Sequence, residues 1–191
     1  MNTVIFTNAS QLTSDKATKL TQFADTISHI FFSVSGIDNV TYRNIMGLDY
    51  QKVRDNIRVF MKINAGRIPC TAHMPLYSET QSFVQEWHKI WRQEVGKAEV
   101  TPMYNWGGNI RDALEFKADN SYCARLHHMT VFWDGQVSLC CMDIEGKVIL
   151  GDLNQQTILE VYNGPVAVQY RKAHQCGKRR EVELCNKCNM T

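Results

Sequence analysis

Residues 123–141 read CARLHHMTVFWDGQVSLCC, and residues 184–188 read LCNKC. Every one of the chain's seven cysteines except Cys70 lies between residues 123 and 188. Around them the composition is that of a globular protein, with 44% hydrophobic and 21% charged residues and a formal net charge of only +2 at pH 7. That charge gives no support to a nucleic-acid partner. Cysteines clustered in this way are typical of metal sites or redox pairs in a reducing compartment.

The first stretch has the pattern of a β-hairpin. Asp134 and Gly135 are a preferred pair for a two-residue turn, and alternating apolar residues flank them. If the residues on either side of that turn pair with each other, Cys140 lies opposite Met129. Cys123 then enters just before the first strand. The hairpin therefore predicts that Cys123 and Cys140 lie in one neighbourhood.

The second stretch supplies a further pair of cysteines. Cys185 and Cys188 form a C-x-x-C motif, in which a tight turn presents two ligands to one centre. Together with Cys123 and Cys140 they make the donor set of either a tetrahedral zinc or a four-iron cluster. Successive strand residues point to opposite faces, so only one of the neighbours Cys140 and Cys141 is expected to serve the site.

The other cysteines and the nearby histidines have alternative readings. Cys70 lies on a predicted buried strand, where a small apolar side chain fits a core. Cys176 is either exposed or a rival fourth ligand. A structural role is favoured over metal ligation for three histidines: His127, His128 and His174.

The first hundred residues have a different pattern. Four short segments rich in β-branched and aromatic residues alternate with stretches of helical periodicity, which predicts parallel strands joined by right-handed crossovers. Four strands are too few to close a barrel, so the first strand is expected to have an edge open to self-association. The predicted strands are residues 4–7, 30–34, 68–73 and 100–104.

Helix starts and a domain boundary can also be placed. Thr13 or Ser14 would cap a first helix, whose apolar stripe continues as far as Ile27, and Asp49 would cap a later one. The glycine pair after Trp106 interrupts the alternation, so we predict domains at residues 1–106 and 107–191. A basic region followed by a long apolar run is missing from the first residues, which predicts a cytoplasmic protein without a membrane partner.

The cysteine spacing resembles a known family. C-x11-G-x4-C from Cys123 to Cys140, followed by C-x-x-C, is similar to the SPASM or twitch domain at the C-terminus of many radical S-adenosylmethionine enzymes. VILGDLNQQTILEVYNG, residues 148–164, resembles the segment that follows the second ligand in that family. The resemblance implies one auxiliary [4Fe-4S] cluster held by Cys123, Cys140, Cys185 and Cys188.

The N-terminal half agrees with this resemblance. VIFTNASQLT and HIFFSVSGID, residues 4–13 and 29–38, resemble strand ends in the family's partial (β/α)6 barrel. The fold class expected is therefore α/β, an incomplete (β/α)6 barrel of about four βα units followed by a small α+β SPASM/twitch domain. The resemblance further implies that Thr7, Asn8 and Ser33 border a pocket for S-adenosylmethionine.

The family's C-x-x-x-C-x-x-C loop, which holds the cluster that cleaves S-adenosylmethionine, does not occur in the 191 residues. The chain thus resembles a family member without its N-terminal part, and S-adenosylmethionine binding is expected only together with that part. No catalytic residue is identified, and whether the chain alone is an enzyme stays open.

The resemblance implies a role in the radical-based oxidation or modification of a peptide or small molecule, with a redox protein as electron donor or acceptor. Two other functions stay open. One is a stand-alone iron-sulfur module for electron transfer or substrate binding. The other is a zinc-stabilised binding domain.

Overall fold

The computed structural model describes residues 2–110 and 120–190, and the chain divides into two compact units, Met1–Pro102 and Met103–Thr191. The sequence placed this boundary after Trp106. In the structure, Tyr104 and Trp106 pack against the apolar cluster of the second unit. Asn105 donates its backbone N–H to Asn189 Oδ1 at 2.9 Å. These contacts place residues 103–106 in the second unit.

The first unit is built on a parallel sheet. Within residues 2–110 its strands follow the order β1-β2-β3-β4, each paired in parallel with the next. This confirms the predicted α/β class and the four parallel strands. The bounds are β1 Thr3–Thr7, β2 Ile27–Ser33, β3 Cys70–Leu76 and β4 Ala98–Pro102.

Helices connect these strands: α1 Ser14–Thr21, α2 Asn39–Met46, α3 Tyr50–Asn64, α4 Ser78–Gln81 and α5 Val84–Val95. Two predicted caps are confirmed, because Thr13 accepts the backbone N–H of Lys16 and Asp49 accepts that of Lys52. The predicted stripe of α1 ran too far. A turn follows Thr21, in which the N–H of Ile27 donates to Phe23 O at 3.1 Å, and Ile27 begins β2.

Two tryptophans fix the loop at the carboxyl end of β2. The indole N–H of Trp87 donates to Val34 O at 2.6 Å, and that of Trp91 donates to Gly36 O at 3.3 Å. A side chain at Gly36 would meet the backbone of Tyr42 at 2.8 Å, so only glycine fits there. Both indoles are buried, and each donates its N–H to a backbone carbonyl of this loop. The carboxyl rim of the sheet is therefore firmly held.

The sheet has one buried face and one polar and aromatic face. Alternate residues of β2, such as Ile30 and Phe32, are buried, while the residues between them are half-exposed. On the second face, Phe31 stacks on Phe6 with ring centroids 4.7 Å apart. Phe6 is 64% exposed. Self-association through the edge of β1 stays a prediction.

The second unit contains a small antiparallel sheet, in the order β5-β6-β7, and three α-helices among its described residues. The hairpin is confirmed, but its register differs from the predicted one. Gly135 has φ +91°, and the N–H of Phe132 donates to Gln136 O at 2.8 Å, so three residues form the loop. The bounds are β5 Thr130–Val131, β6 Gln136–Ser138, β7 Ile149–Asp152, α6 Ile158–Tyr162, α7 Pro165–Gln175 and α8 Glu183–Asn186.

No helix in residues 2–110 or 120–190 is long and apolar enough to span a bilayer.

A half-buried carboxylate, Glu94, joins α3 to α5 and gives a test of the first unit. Glu94 accepts hydrogen bonds from Arg58 at 2.6 and 2.7 Å and from Arg54 at 2.5 and 2.8 Å. The hydrogen bonds from Arg58, together with those from Arg54, lower the pKa of Glu94. We expect Glu94→Gln to lower the free energy of unfolding at pH 7 by about 2 kcal/mol.

The effect should depend on pH with a defined sign. A carboxyl whose pKa is lower in the folded state stabilises the fold above its unfolded pKa, about 4.3 for glutamate. That contribution is lost as the pH falls through the folded pKa. Urea denaturation at pH 7 and pH 3 should show the difference between wild type and Glu94→Gln shrinking at the lower pH. The control is Glu86→Gln, which changes an exposed residue of α5. An equal difference in unfolding free energy between wild type and Glu94→Gln at both pH values would contradict this role of the Glu94 carboxylate.

Candidate metal centre

Four cysteines of the second unit surround one cavity. Cys123, Cys140, Cys185 and Cys188 all line it, and each is only 7% exposed. They come from three separate segments of the chain. The structure therefore brings together the four cysteines that the sequence selected.

Cys123 comes just before a short 3-10 helix, Ala124–His127. Its backbone N–H donates to His174 Nδ1 at 3.3 Å, and its carbonyl accepts the N–H of Leu126 at 3.2 Å. His174, a buried residue of α7, thereby ties this segment to a helix. The local fold thus holds the backbone of the first cysteine from both sides.

Cys140 lies in a turn that follows β6, not on a strand as predicted. The carbonyl of Cys140 accepts the N–H of Asp143 at 3.0 Å and the hydroxyl of Ser138 at 3.3 Å. The buried Asp143 carboxylate then accepts the N–H groups of Lys147 and Val148, both at 2.9 Å. This turn, and not strand alternation, separates Cys140 from its neighbour.

Cys185 and Cys188 occupy α8 and the turn after it. Met190 donates its N–H to Cys188 Sγ at 3.4 Å. Asn105 holds the segment from outside, since its side-chain amide donates to Lys187 O at 2.6 Å and its Oδ1 accepts the N–H of Asn189 at 3.1 Å. The C-x-x-C turn is therefore positioned by residues about eighty positions earlier in the chain.

Burial makes two of these thiols weak acids. It raises the pKa of Cys140 to about 11 and that of Cys185 to about 12. At neutral pH both side chains keep their protons in the metal-free protein. A bound metal or cluster would replace those protons, because the thiolate is the form that ligates.

The four thiols line the cavity without converging on a single point. Within residues 2–110 and 120–190, no three His, Cys, Asp or Glu side chains are grouped so that they could hold one metal ion. The thiolates of a tetrahedral zinc must all lie about 2.3 Å from the same ion. A four-iron cluster is bound at its separate iron corners, so its ligands stand further apart.

The cavity is not lined by the other three cysteines or by His127 and His128. Cys70 belongs to the core of the first unit, where burial raises the pKa of its thiol to about 11. Cys141 is half-buried and does not line the cavity, and Cys176 is exposed. Of the three histidines, only His174 lines the cavity.

Sequence reasoning missed one important residue of this cavity. Arg179 is 1% exposed and lines the cavity beside the cysteines. In the sequence it is the middle of Lys178-Arg179-Arg180, a run that reads as a solvated surface. Only its position six residues before Cys185 could have suggested a role near the ligands.

The residues expected to contact S-adenosylmethionine lie at the carboxyl edge of the first unit's sheet. Thr7 is the last residue of β1, and Ser33 is the last residue of the neighbouring β2. The Thr7 hydroxyl accepts the N–H of Ala9 at 3.0 Å, and Asn8 Oδ1 accepts the N–H of Ser10 at 3.0 Å. Thr7 and Asn8 therefore shape the turn, and Ala9 has φ +57°, a value that favours glycine.

Comparison with known proteins finds a family match within the second unit. Residues 123–189 match the model of the SPASM family, an iron-sulfur cluster-binding domain. A search of curated protein sequences found no match.

Solved structures of anSMEcpe share the fold. The structure of anSMEcpe with bound AdoMet and the Cp18Cys peptide aligns with a TM-score of 0.64 at 16% identity, over 98% of this chain and 65% of that chain. The structure of anSMEcpe with bound AdoMet gives a TM-score of 0.63 at 15% identity, with coverage of 98% and 65%. BtrN in complex with AdoMet and 2-DOIA covers 99% of this chain and 93% of its own, at 13% identity and a TM-score of 0.45. The chain thus spans about two thirds of the length of anSMEcpe.

The role of the hydrogen bonds that Asn105 makes to the C-x-x-C turn can be tested directly. Asn105→Ala removes the side-chain hydrogen bonds to Lys187 and Asn189. Each bond contributes about 1 kcal/mol, so the equilibrium constant for local opening of this turn should rise roughly tenfold or more. Alkylation of Cys185 and Cys188 in the metal-free protein, followed by peptide mass mapping, should be faster by that factor.

A matched control is available nearby. Asn109→Ala removes one exposed hydrogen bond, from Lys147 at 3.0 Å, and should leave the alkylation rates unchanged. Equal alkylation rates in Asn105→Ala and wild type would show that Asn105 does not hold the C-x-x-C turn.

Proposed function

We propose that the chain binds one auxiliary [4Fe-4S] cluster through Cys123, Cys140, Cys185 and Cys188. Residues 123–189 match the SPASM family model, and the chain shares its fold with anSMEcpe with bound AdoMet, which supports this proposal. One observation carries the proposal. These cysteines, from three separate segments, all line one buried cavity within the matched residues.

The chemistry of the cavity supports a cluster. Cysteine thiolates are the usual ligands of four-iron clusters. Apolar side chains complete most of the lining, and they keep water away from the ligands: Leu126, Met142, Leu184 and Met190. The buried Arg179, which forms no salt bridge with a carboxylate in the described residues, adds a positive charge that suits an anionic group.

The chain's own residues have defined tasks in this proposal. When bound, the cluster would supply one-electron transfer or a site for substrate. The N–H of Met190 stabilises negative charge on Cys188 Sγ, and the N–H of Cys123 is already satisfied by His174. The potential of such a centre depends on hydrogen bonds to sulfur, charge and solvent exposure. The cavity provides a dry site in which these factors are fixed.

The wider role is proposed by likeness. We infer that the chain contributes to a radical S-adenosylmethionine enzyme that oxidises or modifies a peptide or small molecule, with a redox protein as electron partner. Both anSMEcpe structures described above contain AdoMet, and one of these two also contains a peptide. Thr7, Asn8 and Ser33 lie at the carboxyl rim of a parallel sheet, where such folds bind their ligands. That location supports a role for them in contacting S-adenosylmethionine.

Single Cys→Ala variants test the ligand set. We expect each of the changes at 123, 140, 185 and 188 to reduce bound iron and acid-labile sulfide after anaerobic reconstitution of the full chain, because a missing thiolate leaves one iron without its protein ligand. The three controls are Cys70→Ala, Cys141→Ala and Cys176→Ala, which should retain the wild-type content.

Two results would contradict the assignment. One is retention of full iron and sulfide in Cys140→Ala with loss in Cys141→Ala. The other is stoichiometric zinc in the wild-type protein, with no sulfide taken up under reconstitution.

A further inference from the structure

A buried arginine faces the four cysteines. Arg179 begins a 3-10 helix, Arg179–Glu181, and its side chain is 1% exposed. It lines the same cavity as Cys123, Cys140, Cys185 and Cys188. Arg125 also lines the cavity but is half-buried, so water screens its charge more strongly.

Only part of the Arg179 guanidinium is satisfied. Nη2 donates to the carbonyl of Met190 and, at 3.5 Å, to that of Cys188. Nε and Nη1 are buried and have no hydrogen-bond partner in the part of the chain that the structure describes. Within the same residues, no carboxylate forms a salt bridge with Arg179.

The partly unpaired, buried guanidinium of Arg179 costs free energy unless an anion lies next to it. A buried charge with unpaired donors loses its hydration and gains little in return. His174 also lines the cavity, but it cannot supply the counter-charge. Its Nδ1 accepts the N–H of Cys123, and the imidazole is neutral or positive.

Thiolate ligation changes the balance of charge. Four thiolates carry more negative charge than the iron-sulfur core carries positive charge, and a one-electron reduction adds one further negative charge. A fixed cation next to the ligands therefore stabilises the reduced form more than the oxidised form. The guanidinium of Arg179 also fixes the carbonyls of Cys188 and Met190, so its distance from the C-x-x-C ligands is set by the backbone.

We propose that Arg179 is a positioning residue that compensates the charge of the cysteine-ligated centre and raises its reduction potential. This inference rests on the proposed function, since it requires an iron-sulfur cluster in the cavity. Arg179 acts on the centre through its electric field and through the C-x-x-C backbone.

The experiment uses the full chain, reconstituted anaerobically with iron and sulfide, in wild-type form and as Arg179→Met, Arg179→Lys and Lys178→Met. Iron and sulfide are counted first, and the midpoint potential is then measured by redox titration with optical and EPR detection. Lys178→Met is the control, because it removes the same charge from an exposed side chain that pairs with Glu181 at 3.3 Å.

Loss of the buried cation should make reduction of the centre harder. For Arg179→Met we expect the equilibrium constant for reduction to fall about tenfold or more, a shift of about 59 mV to lower potential for one electron. Arg179→Lys should keep most of the wild-type potential because it keeps the charge. Lys178→Met should change the constant less than about twofold, because water and salt screen an exposed charge.

The outcomes separate this inference from the proposed function. A wild-type chain that takes up no iron and sulfide fails the proposed function itself. Normal cluster content with an unchanged potential in Arg179→Met overturns the role of Arg179 alone. If Arg179→Met loses the cluster, retention in Arg179→Lys at the wild-type potential supports the role of charge, and loss in both variants overturns it.

Discussion

Four thiols that share one buried cavity constrain the whole second unit. Burial holds the pKa of Cys140 at about 11 and that of Cys185 at about 12, so the metal-free cavity favours neutral thiols. Ligation demands the opposite, four thiolates in a dry site. The binding free energy of the centre must therefore cover the cost of deprotonation, as it does in other thiolate sites. A cation such as Arg179 reduces that cost.

The segments that carry the cysteines are short and irregular, so the surrounding hydrogen bonds position them. His174 receives the N–H of Cys123, Asp143 closes the loop after Cys140, and Asn105 holds the turn around Cys188. None of these residues has a thiol. They keep three distant segments together, which is how this small unit builds a site without a large sheet.

The first unit meets a different constraint. Its parallel strands present their carboxyl ends at one rim, and the loops there must be held without blocking the rim. Trp87 and Trp91 hold one loop from the helix side through Val34 and Gly36. The half-buried Glu94 joins α5 to α3 through Arg54 and Arg58. The contacts that hold the rim loop thus come from the side of the buried face, and they leave the polar and aromatic face of the sheet uncovered.

Much of this could be predicted from the sequence, and the failures have physical causes. Runs of β-branched and aromatic residues located the parallel strands, and the oxygens of Thr13 and Asp49 marked true helix starts. The hairpin register was wrong because a two-residue Asp-Gly turn needs a positive φ at both residues, whereas Gly135 has one and Asp134 does not, which fits a three-residue loop. Arg179 was missed because a basic run gives no sign that its middle member is buried.

The four cysteines are proposed to hold one iron-sulfur cluster. Native mass spectrometry of the anaerobically reconstituted full chain measures this most directly, because the mass gained identifies the bound group. We expect one main species, heavier than the metal-free chain by four iron and four sulfide atoms. A gain equal to a single zinc ion, or no gain at all, would contradict it.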